Sequence, residues 1–233
     1  MRIGVFAYNF NHWKTQLGLQ NLVLSGYNPK VVFAADKIKL NVYRSNIRTS
    51  PRGIFLHHPR QIAKCFGIEY FVTKHNSQET SSLIKQYDLD VGVVLGARIL
   101  KPLVISPFKK GVINMHPGIL PENRGLNTIK WAILNDLPQG VTTHLIDEKI
   151  DRGLLIDKKN IEIHKDDNLA DIKIKLMNLE QSMMLESLKA IEQDTINFTK
   201  IGKGNYNKPL DNQKEKFLLK KFDEYKEKWA EIL

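Results

Sequence analysis

Residues 1–35 read MRIGVFAYNFNHWKTQLGLQNLVLSGYNPKVVFAA, and their pattern decides the fold class. Short apolar runs over Arg2–Ala7 and Lys30–Ala35 predict two strands. Between them, Trp13–Ser25 has a helical pattern that ends at Gly26. The apolar residues of that helical pattern are Leu17, Leu22 and Leu24. A strand, a helix and a strand in this order imply two parallel strands joined by a right-handed crossover.

The turn after the first strand, YNFNHW at residues 8–13, contains no glycine. Dinucleotide-binding turns and P-loops both need glycines there, because the backbone must approach a phosphate closely. The turn therefore disfavours both nicotinamide binding and ATP binding.

The rest of the chain continues the alternation of strands and helices. The further predicted strands are Ile68–Val72, Asp90–Leu95, a strand carrying Asn114 and His116, Val141–Asp147 and Leu154–Ile163. The further predicted helices are Arg60–Phe66, Ser77–Tyr87, a short helix ending at Phe108, Asn127–Asn135 and a long helix after Asn168 with a stripe of Leu169, Ile172, Leu176, Leu179 and Met183. These elements predict an α/β fold, a Rossmann-like, mostly parallel twisted sheet with helices on both faces and a small C-terminal helical extension.

Composition bounds the class of protein. The 233 residues are 42% hydrophobic and carry a formal charge of +10, with Cys65 as the one cysteine. A single thiol cannot form an internal disulfide, and no apolar run has the length of a membrane span, so we expect a cytoplasmic protein without a membrane partner. The positive charge suits a phosphorylated substrate, or it reflects solvated helix faces rich in Lys and Glu.

The segment from Asp36 to Pro59 is polar, basic and long for a loop in a small domain. Its arginines Arg44, Arg48 and Arg52 could meet a phosphate, although a solvated surface loop is the favoured explanation for any single one of them.

The stretch GVINMHPGILPENRG, residues 111–125, delivers two polar side chains at a strand exit. Asn114 and His116 are two residues apart on a strand, so they point to the same face. One can hold a carbonyl oxygen while the other donates or takes a proton. The stretch therefore indicates a reaction centre.

A second stretch, VTTHLIDEKIDRGLLI at residues 141–156, adds an acidic residue. Asp151 falls in a turn between two predicted strands, and Gly153 permits a tight geometry there. Taken alone, an aspartate in a turn is weak evidence of function. Joined to N-x-H-P-G-I-L-P-x-x-R-G upstream, it forms a distinctive constellation.

Together the two stretches resemble the folate-dependent formyltransferases, a family that includes the glycinamide ribonucleotide, methionyl-tRNA and sugar-nucleotide enzymes. The likeness runs from about Val91 to Ile163. A shift in composition after Lys200 predicts a catalytic domain over 1–200, followed by a linker and an amphipathic helix over 201–233. The resemblance implies 10-formyltetrahydrofolate as co-substrate and the catalytic set Asn114, His116 and Asp151. The folate-contacting residues that it implies are Arg98, Ile99, Leu100, Asp147, Glu148, Lys149 and Ile150. The residues expected to bind the acceptor are Asn9, Arg52, Pro117, Gly118 and Arg124.

The chemistry of that family explains the residue types. A primary amine attacks the formyl carbon, and hydrogen-bond donors must stabilise the oxyanion that forms. His116 and Asn114 suit this role, and Asp151 can orient the imidazole and help to remove a proton. No metal is expected, because His116 and His144 lack the spacing of a helical metal motif. His144 is expected to be a packed or hydrogen-bonded structural histidine.

The acceptor is decided outside these motifs. The first turn lacks the Gly-Ser-Asn phosphate loop of the glycinamide ribonucleotide enzymes, and only a short tail follows Lys200, whereas methionyl-tRNA enzymes carry a barrel domain there. The resemblance therefore favours a nucleotide-linked amino sugar, UDP- or dTDP-linked, used for surface glycans, with no nucleic-acid partner. The alternatives are a glycinamide ribonucleotide transferase and a non-catalytic module that binds folate or a nucleotide sugar.

The final helix has an apolar stripe of Leu218, Phe222, Tyr225, Trp229 and Ile232 at helical spacing. This stripe must pack on something. It docks on the domain, forms a homodimer contact or serves as a surface for another partner.

Overall fold

A computed structural model describes residues 1–39, 45, 47–148 and 151–230. Its strands are β1 (Ile3–Tyr8), β2 (Val31–Ala35), β3 (Glu69–Val72), β4 (Val91–Val94), β5 (Val112–His116), β6 (Arg124–Gly125), β7 (Gly140–Leu145), β8 (Leu154–Asn160), β9 (Thr199–Lys200) and β10 (Tyr206–Asn207). Its helices are α1 (Trp13–Leu24), α2 (Pro59–Cys65), α3 (Gln78–Gln86), α4 (Pro102–Ile105), α5 (Thr128–Leu134), α6 (Leu169–Glu192) and α7 (Asn212–Trp229). Within these residues no helix combines the length and the apolar character needed to cross a membrane.

The main sheet has eight strands in the order β3-β2-β1-β4-β5-β7-β8-β9. The five strands from β3 to β5 in this order are parallel, and β7, β8 and β9 continue the sheet in antiparallel fashion. The predicted mostly parallel α/β sheet is confirmed. The short strands β6 and β10 form a separate parallel pair beside it.

Helices cover both faces of the sheet, as predicted. The pleat of β1 sends Val5 to one face and Phe6 to the other, because successive side chains of a strand alternate. Val5 belongs to a core cluster with residues of α1 and α6, whereas Phe6 belongs to a second cluster with Val104 of α4 and Phe108. Two hydrophobic cores therefore enclose the sheet.

Helix α1 differs from its prediction in the face that it buries. Its buried residues include Gly18, Leu19 and Leu22, whereas Leu24 is 80% exposed, so including Leu24 in the apolar pattern was wrong. A side chain at Gly18 would overlap Leu95, so the helix lies tightly against the end of β4. Leu24 is exposed because it lies on the side of the helix opposite the face formed by Gly18, Leu19 and Leu22.

Helix α6 follows its predicted stripe closely. Asn168 caps the helix and forms a capping box with Asp171. Leu169, Ile172, Leu176 and Met183 of the predicted stripe are buried, and Leu179 is partly buried against the same core. The helix packs on β5, β7 and β8 and so backs the strand that carries Asn114 and His116.

The tail after β9 packs on the domain. Strand β10 pairs with β6, and α7 lies against α5. Leu218 and Tyr225 are buried, and Phe222 and Trp229 pack on the main core, so this stripe docks on the domain. Ile232 lies outside the described residues, and a homodimer through this helix stays a prediction.

A buried ion pair joins the tail to α5. The Nζ atom of Lys130 lies 2.6 Å from Oε1 of Glu215, and both side chains are almost fully buried. The hydroxyl of Ser45, in the basic segment, contacts both of these side chains. The pair thus ties α5, α7 and the basic segment together.

We expect Glu215→Gln to destabilise the fold by about 3–5 kcal/mol, because it leaves the Lys130 ammonium buried without its charge partner. Urea unfolding at neutral pH measures the change. Replacing both partners, as Lys130→Met with Glu215→Leu, should recover most of the stability. Glu224→Gln, at an exposed position of the same helix, is the control and should change stability by less than about 0.5 kcal/mol. A wild-type unfolding curve for Glu215→Gln would contradict the assignment.

Candidate active site

The candidate site lies at the carboxyl end of β5, where the sheet changes from parallel to antiparallel. Strand β4 pairs with β5 on one side and β7 pairs with it on the other. The register with β7 sets Asn114 opposite His144 and His116 opposite Thr142. Four polar side chains therefore meet at one strand exit, in the crevice region where open α/β sheets bind ligands.

His116 is buried and faces an oxygen acceptor at each ring nitrogen. Its Nδ1 lies 3.3 Å from Oδ1 of Asp151, and its Nε2 lies 2.8 Å from the carbonyl oxygen of Asn123. A neutral imidazole has one N–H, whereas only the ring with hydrogens on both nitrogens can donate to both oxygens. The surroundings of His116 thus suit a proton donor.

Asp151 is held in place from two sides. Its backbone has a φ of 47°, in the left-handed region that Asp tolerates better than most residues. Its Oδ2 accepts a hydrogen bond of 2.8 Å from the amide of Gly125. Burial raises the pKa of Asp151, but the hydrogen bond and charge of His116 and the Gly125 amide outweigh it, so the pKa lies below its usual range. The carboxylate form is therefore favoured.

Asn114 is oriented by His144. The Nδ1 of His144 donates to the carbonyl oxygen of Arg152 at 2.8 Å, which leaves its Nε2 to accept from Nδ2 of Asn114 at 3.2 Å. Burial, followed by the charge of His116, lowers the pKa of His144 to about 4, so the ring is neutral at neutral pH. The sequence suggested a structural histidine, and the contact shows which residue it supports. The signal for that role is its register position opposite Asn114.

The turn after His116 is closely packed. A Cβ at Gly118 would lie 2.8 Å from the Asn123 carbonyl oxygen and 3.0 Å from Nε2 of His116. The hydroxyl of Thr142 donates to the carbonyl oxygen of Gly118 and accepts from the amide of Leu120. Glycine is thus required where the turn approaches the imidazole, and Thr142 fixes the turn.

A cavity of about 500 Å³ opens beside Pro117, the residue after His116. Glu180, from α6, is 1% exposed, and its Oε1 accepts from Nζ of Lys14 at 2.9 Å. Within the described part of the chain, its buried Oε2 has no hydrogen-bond partner. Burial, together with the charge of Lys14, lowers the pKa of the neighbouring Lys173, although the Glu180 carboxylate raises it. The cavity thus offers a buried acceptor atom among cationic groups.

The residues predicted to contact folate follow β4 and β7, the two neighbours of β5, which run in opposite directions. Arg98 and Ile99 are exposed after β4, and Leu100 is buried. Asp147 and Glu148 are exposed after β7. Lys149 and Ile150 lie outside the described residues.

The segment after β4 borders a second cavity, of about 800 Å³ and largely apolar. Arg98 lines this cavity together with the stacked rings of Tyr8 and Phe10, whose centroids are 4.9 Å apart. The side chain of Asn76 donates to the carbonyl oxygen of Ile99 and accepts from the amide of Lys101. The predicted strand exit is thus held in a fixed shape at the mouth of a large cavity.

The residues predicted to bind the acceptor are dispersed. Pro117 lines the 500 Å³ cavity, and Gly118 lies buried in the turn behind it. Asn9 bonds to Asp36 and Tyr70, and the cavity is lined instead by Asn11 and His12.

Four arginines were predicted to bind the acceptor or a phosphate, and the three that the structure describes have different surroundings. Arg124 is buried, and its Nη1 donates to the carbonyl oxygen of Gly204. Arg52 lines a different cavity between the basic segment and α7, whereas Arg48 lines both that cavity and the one beside Pro117. Arg44 lies outside the described residues.

Among the described residues, no group of three His, Cys, Asp or Glu side chains could hold a metal ion.

Comparison with known proteins identifies a family and several relatives. The family model described as formyl transferase matches residues 22–188. The methionyl-tRNA formyltransferase of Flavobacterium psychrophilum is 37% identical over 114 residues, which are 48% of this chain and 36% of that protein. The enzyme of the same name from Chlorobium limicola is 34% identical over 143 residues, 60% of this chain and 45% of that protein. The chain thus spans less than half the length of these relatives.

Solved structures share the fold. The formyltransferase PseJ of Anoxybacillus kamchatkensis, solved with UDP-4,6-dideoxy-4-formamido-L-AltNAc and tetrahydrofolate, is 27% identical with a TM-score of 0.53 and covers 69% of this chain and 84% of its own. The phosphoribosylglycinamide formyltransferase of Anaplasma phagocytophilum is 19% identical with a TM-score of 0.65 and covers 89% and 99%. An N-formyltransferase of Helicobacter canadensis, solved with folinic acid and dTDP-3-aminofucose, is 20% identical with a TM-score of 0.63 and covers 91% and 72%. The last two show a common fold.

The buried His144 predicts an acid-dependent loss of stability. From pH 6.5 to about 4, the unfolded chain binds a proton at this position that the folded chain does not, so the free energy of unfolding falls as the pH falls. We expect His144→Gln to reduce this loss by roughly 2–3 kcal/mol between pH 7 and pH 4.5.

Urea unfolding at a series of pH values measures this difference. Thr143→Val, at the neighbouring buried position of β7, introduces no titratable group and should keep the wild-type pH dependence. If the free energy of unfolding changes with pH by the same amount in wild type and in His144→Gln, His144 is not the titrating group.

Proposed function

The chain belongs to the formyl transferase family, and on that premise we propose that it transfers a formyl group from 10-formyltetrahydrofolate to the amine of a nucleotide-linked amino sugar. The observation that carries the proposal is the pairing of His116 with Asp151 beside Asn114, at a strand exit that opens through Pro117 into a charged cavity. An acid–base pair and an oriented amide are what acyl transfer to an amine needs.

In the proposed reaction, the amine nitrogen bonds to the formyl carbon, and the bond from that carbon to N10 of the folate then breaks. The nitrogen loses a proton and N10 gains one, so the transfer balances without an oxidant. Asn114 donates the Nδ2 hydrogen that His144 does not accept to the oxygen of the tetrahedral adduct, and such a donor contributes about 3–4 kcal/mol. The Nε2 hydrogen of His116, which the carbonyl oxygen of Asn123 accepts in the free protein, is shared with that oxygen as negative charge develops on it. Asp151 holds the protonated ring through Nδ1 and assists proton removal through water.

The donor is assigned to the strand exit over residues 98–100 and to the turn over residues 147–151. The largely apolar cavity bordered by Arg98, Tyr8 and Phe10 supports this assignment, because folate carries two planar ring systems and ends in glutamate carboxylates. The guanidinium of Arg98 would face those carboxylates.

The acceptor is assigned to the cavity beside Pro117. Its cationic groups Lys14, Lys173 and Arg48 suit a diphosphate, and the buried Oε2 of Glu180 suits a hydroxyl or an ammonium group. Support from the comparisons is that PseJ, at 27% identity, was solved with a UDP-linked formamido sugar. A nucleotide sugar therefore fits the chemistry of the cavity, and it is also the kind of ligand with which PseJ was solved.

A second candidate acceptor is an aminoacylated tRNA, because the curated relatives described above are methionyl-tRNA formyltransferases at 34–37% identity. Glycinamide ribonucleotide is favoured less, since the likeness to enzymes acting on it is at the level of the fold.

A panel of acceptors tests the proposed function. We expect the protein with 10-formyltetrahydrofolate to add one formyl group to at least one UDP- or dTDP-linked amino sugar, detected by mass spectrometry. Methionyl-tRNA and glycinamide ribonucleotide complete the panel. Faster turnover of either of these would reassign the acceptor, and no product with any compound would refute formyl transfer.

His116→Ala should reduce the rate at least 100-fold, whereas an unchanged rate would remove His116 from the mechanism.

Glu180→Gln tests the acceptor cavity. We expect the KM for the acceptor to rise about tenfold or more, because a charge-assisted hydrogen bond to the buried Oε2 is weakened. The KM for the folate should change by less than about twofold. Glu186→Gln, at an exposed position of the same helix, is the control and should keep both constants. An unchanged acceptor KM in Glu180→Gln would exclude Glu180 from the acceptor site.

A further inference from the structure

Residues 123–125 hold both members of the His116–Asp151 pair. The carbonyl oxygen of Asn123 accepts from Nε2 of His116, and the amide of Gly125 donates to Oδ2 of Asp151. Both contacts measure 2.8 Å. A shift of this three-residue segment would therefore move both partners.

The tail supports the opposite side of this segment. Strand β10 pairs with β6 so that Asn207 lies beside Gly125, and the carbonyl oxygen of Asn207 accepts from the amide of Leu126 at 2.9 Å. Gly125 has a φ of +95°, and a Cβ there would overlap the Asn207 backbone. The absence of a side chain at Gly125 thus lets the tail approach directly.

One side-chain bond completes the support. The Nδ2 of Asn207 donates to Oδ1 of Asn123 at 3.0 Å, and the Nδ2 of Asn123 donates to the carbonyl oxygen of Thr128 at 2.9 Å. Asn123 and Asn207 are both buried. The orientation of the Asn123 peptide, whose carbonyl faces the imidazole, is therefore set by α5 on one side and by the tail on the other.

We propose that Asn207 is a positioning residue, which holds the His116–Asp151 pair in its productive geometry through residues 123–125. The proposal rests on the proposed function for its kinetic consequence, but the geometry of the pair can be measured without any substrate. Misplacement of reacting groups by about 1 Å can cost about 100-fold in rate. The tail, which the sequence suggests is a linker and a helix, is thus part of the support of the site.

Two substitutions test the proposal in the full-length protein. Asn207→Ala removes the donor. Asn207→Asp keeps the size of the side chain but sets a carboxylate oxygen against Oδ1 of Asn123. With the acceptor found by the panel, we expect kcat to fall about 10- to 100-fold in both variants, with less than a twofold change in either KM. Lys228→Ala, which removes an exposed ion pair of α7 with Asp136, should keep the wild-type kcat.

Nuclear magnetic resonance of the substrate-free protein gives the second readout. The Nε2 proton of His116, assigned with His116→Gln, should exchange faster with solvent in both Asn207 variants, because its acceptor has moved. Lys228→Ala should leave that exchange rate unchanged. The proposal would be overturned if the Asn207 variants kept both the wild-type kcat and the wild-type exchange rate of the His116 Nε2 proton. Variants that lose thermal stability while kcat and this exchange rate stay unchanged would overturn it as well. If the panel yields no product, the exchange measurement alone decides it.

Discussion

The antiparallel pairing of β5 with β7 is the constraint on which the candidate site depends. Up to β5, the sheet grows by parallel strands whose carboxyl ends all lie at one edge. Strand β7 runs back along β5 and sets His144 opposite Asn114. Strand β8 then returns from a turn in which Asp151 reaches His116. Because β7 is antiparallel, its last residue, Leu145, lies opposite Ile113, so Asp151 has to reach back along β5 to meet His116.

Much of this arrangement could be predicted from the sequence because it rests on local patterns. Apolar runs bounded by glycine and proline mark the strands, and residues at period two on β5 share a face, so Asn114 and His116 could be grouped. The same reasoning failed for Leu24, because which side of α1 is buried depends on Gly18 meeting Leu95. A close approach between distant elements leaves no periodic signal in the sequence.

Residues that act through tertiary contacts were missed for the same reason. Glu180 lies on the stripe side of a helix whose pattern predicts only packing, and its partner Lys14 is 166 residues away along the chain. Asn207 lies in a stretch rich in glycine and asparagine, a composition typical of a connection. Asn9 was expected at the acceptor, yet its amide is committed to Asp36 and Tyr70. Residue type and spacing in the sequence identify which reaction the side chains at a strand exit can support. They do not identify which side chains from distant elements the fold brings to that exit.

Buried ionic contacts link the site to the rest of the fold. Taking charges out of water is costly, so such pairs persist where they are well hydrogen-bonded, and they fix one arrangement more than they add stability. The Lys14–Glu180 pair joins α1 to α6 beneath the cavity beside Pro117, and Nζ of Lys14 also donates to the carbonyl oxygen of Met115, on β5 between the two candidate catalytic residues. The backbone that carries these residues is therefore bonded to the wall of the cavity beside Pro117.

The tail contacts the site region at two separate places. Its helix also turns its apolar stripe toward the core of the domain. At one place β10 lies along residues 124–125, next to the His116–Asp151 pair. At the other, Glu215 reaches Lys130 and Ser45, which belongs to the basic segment that lines the cavity beside Pro117. Both attachments lie at the start of α7 or just before it, and α7 packs on α5. One amphipathic helix thus connects the strand beside the His116–Asp151 pair to the segment beside the cavity at Pro117.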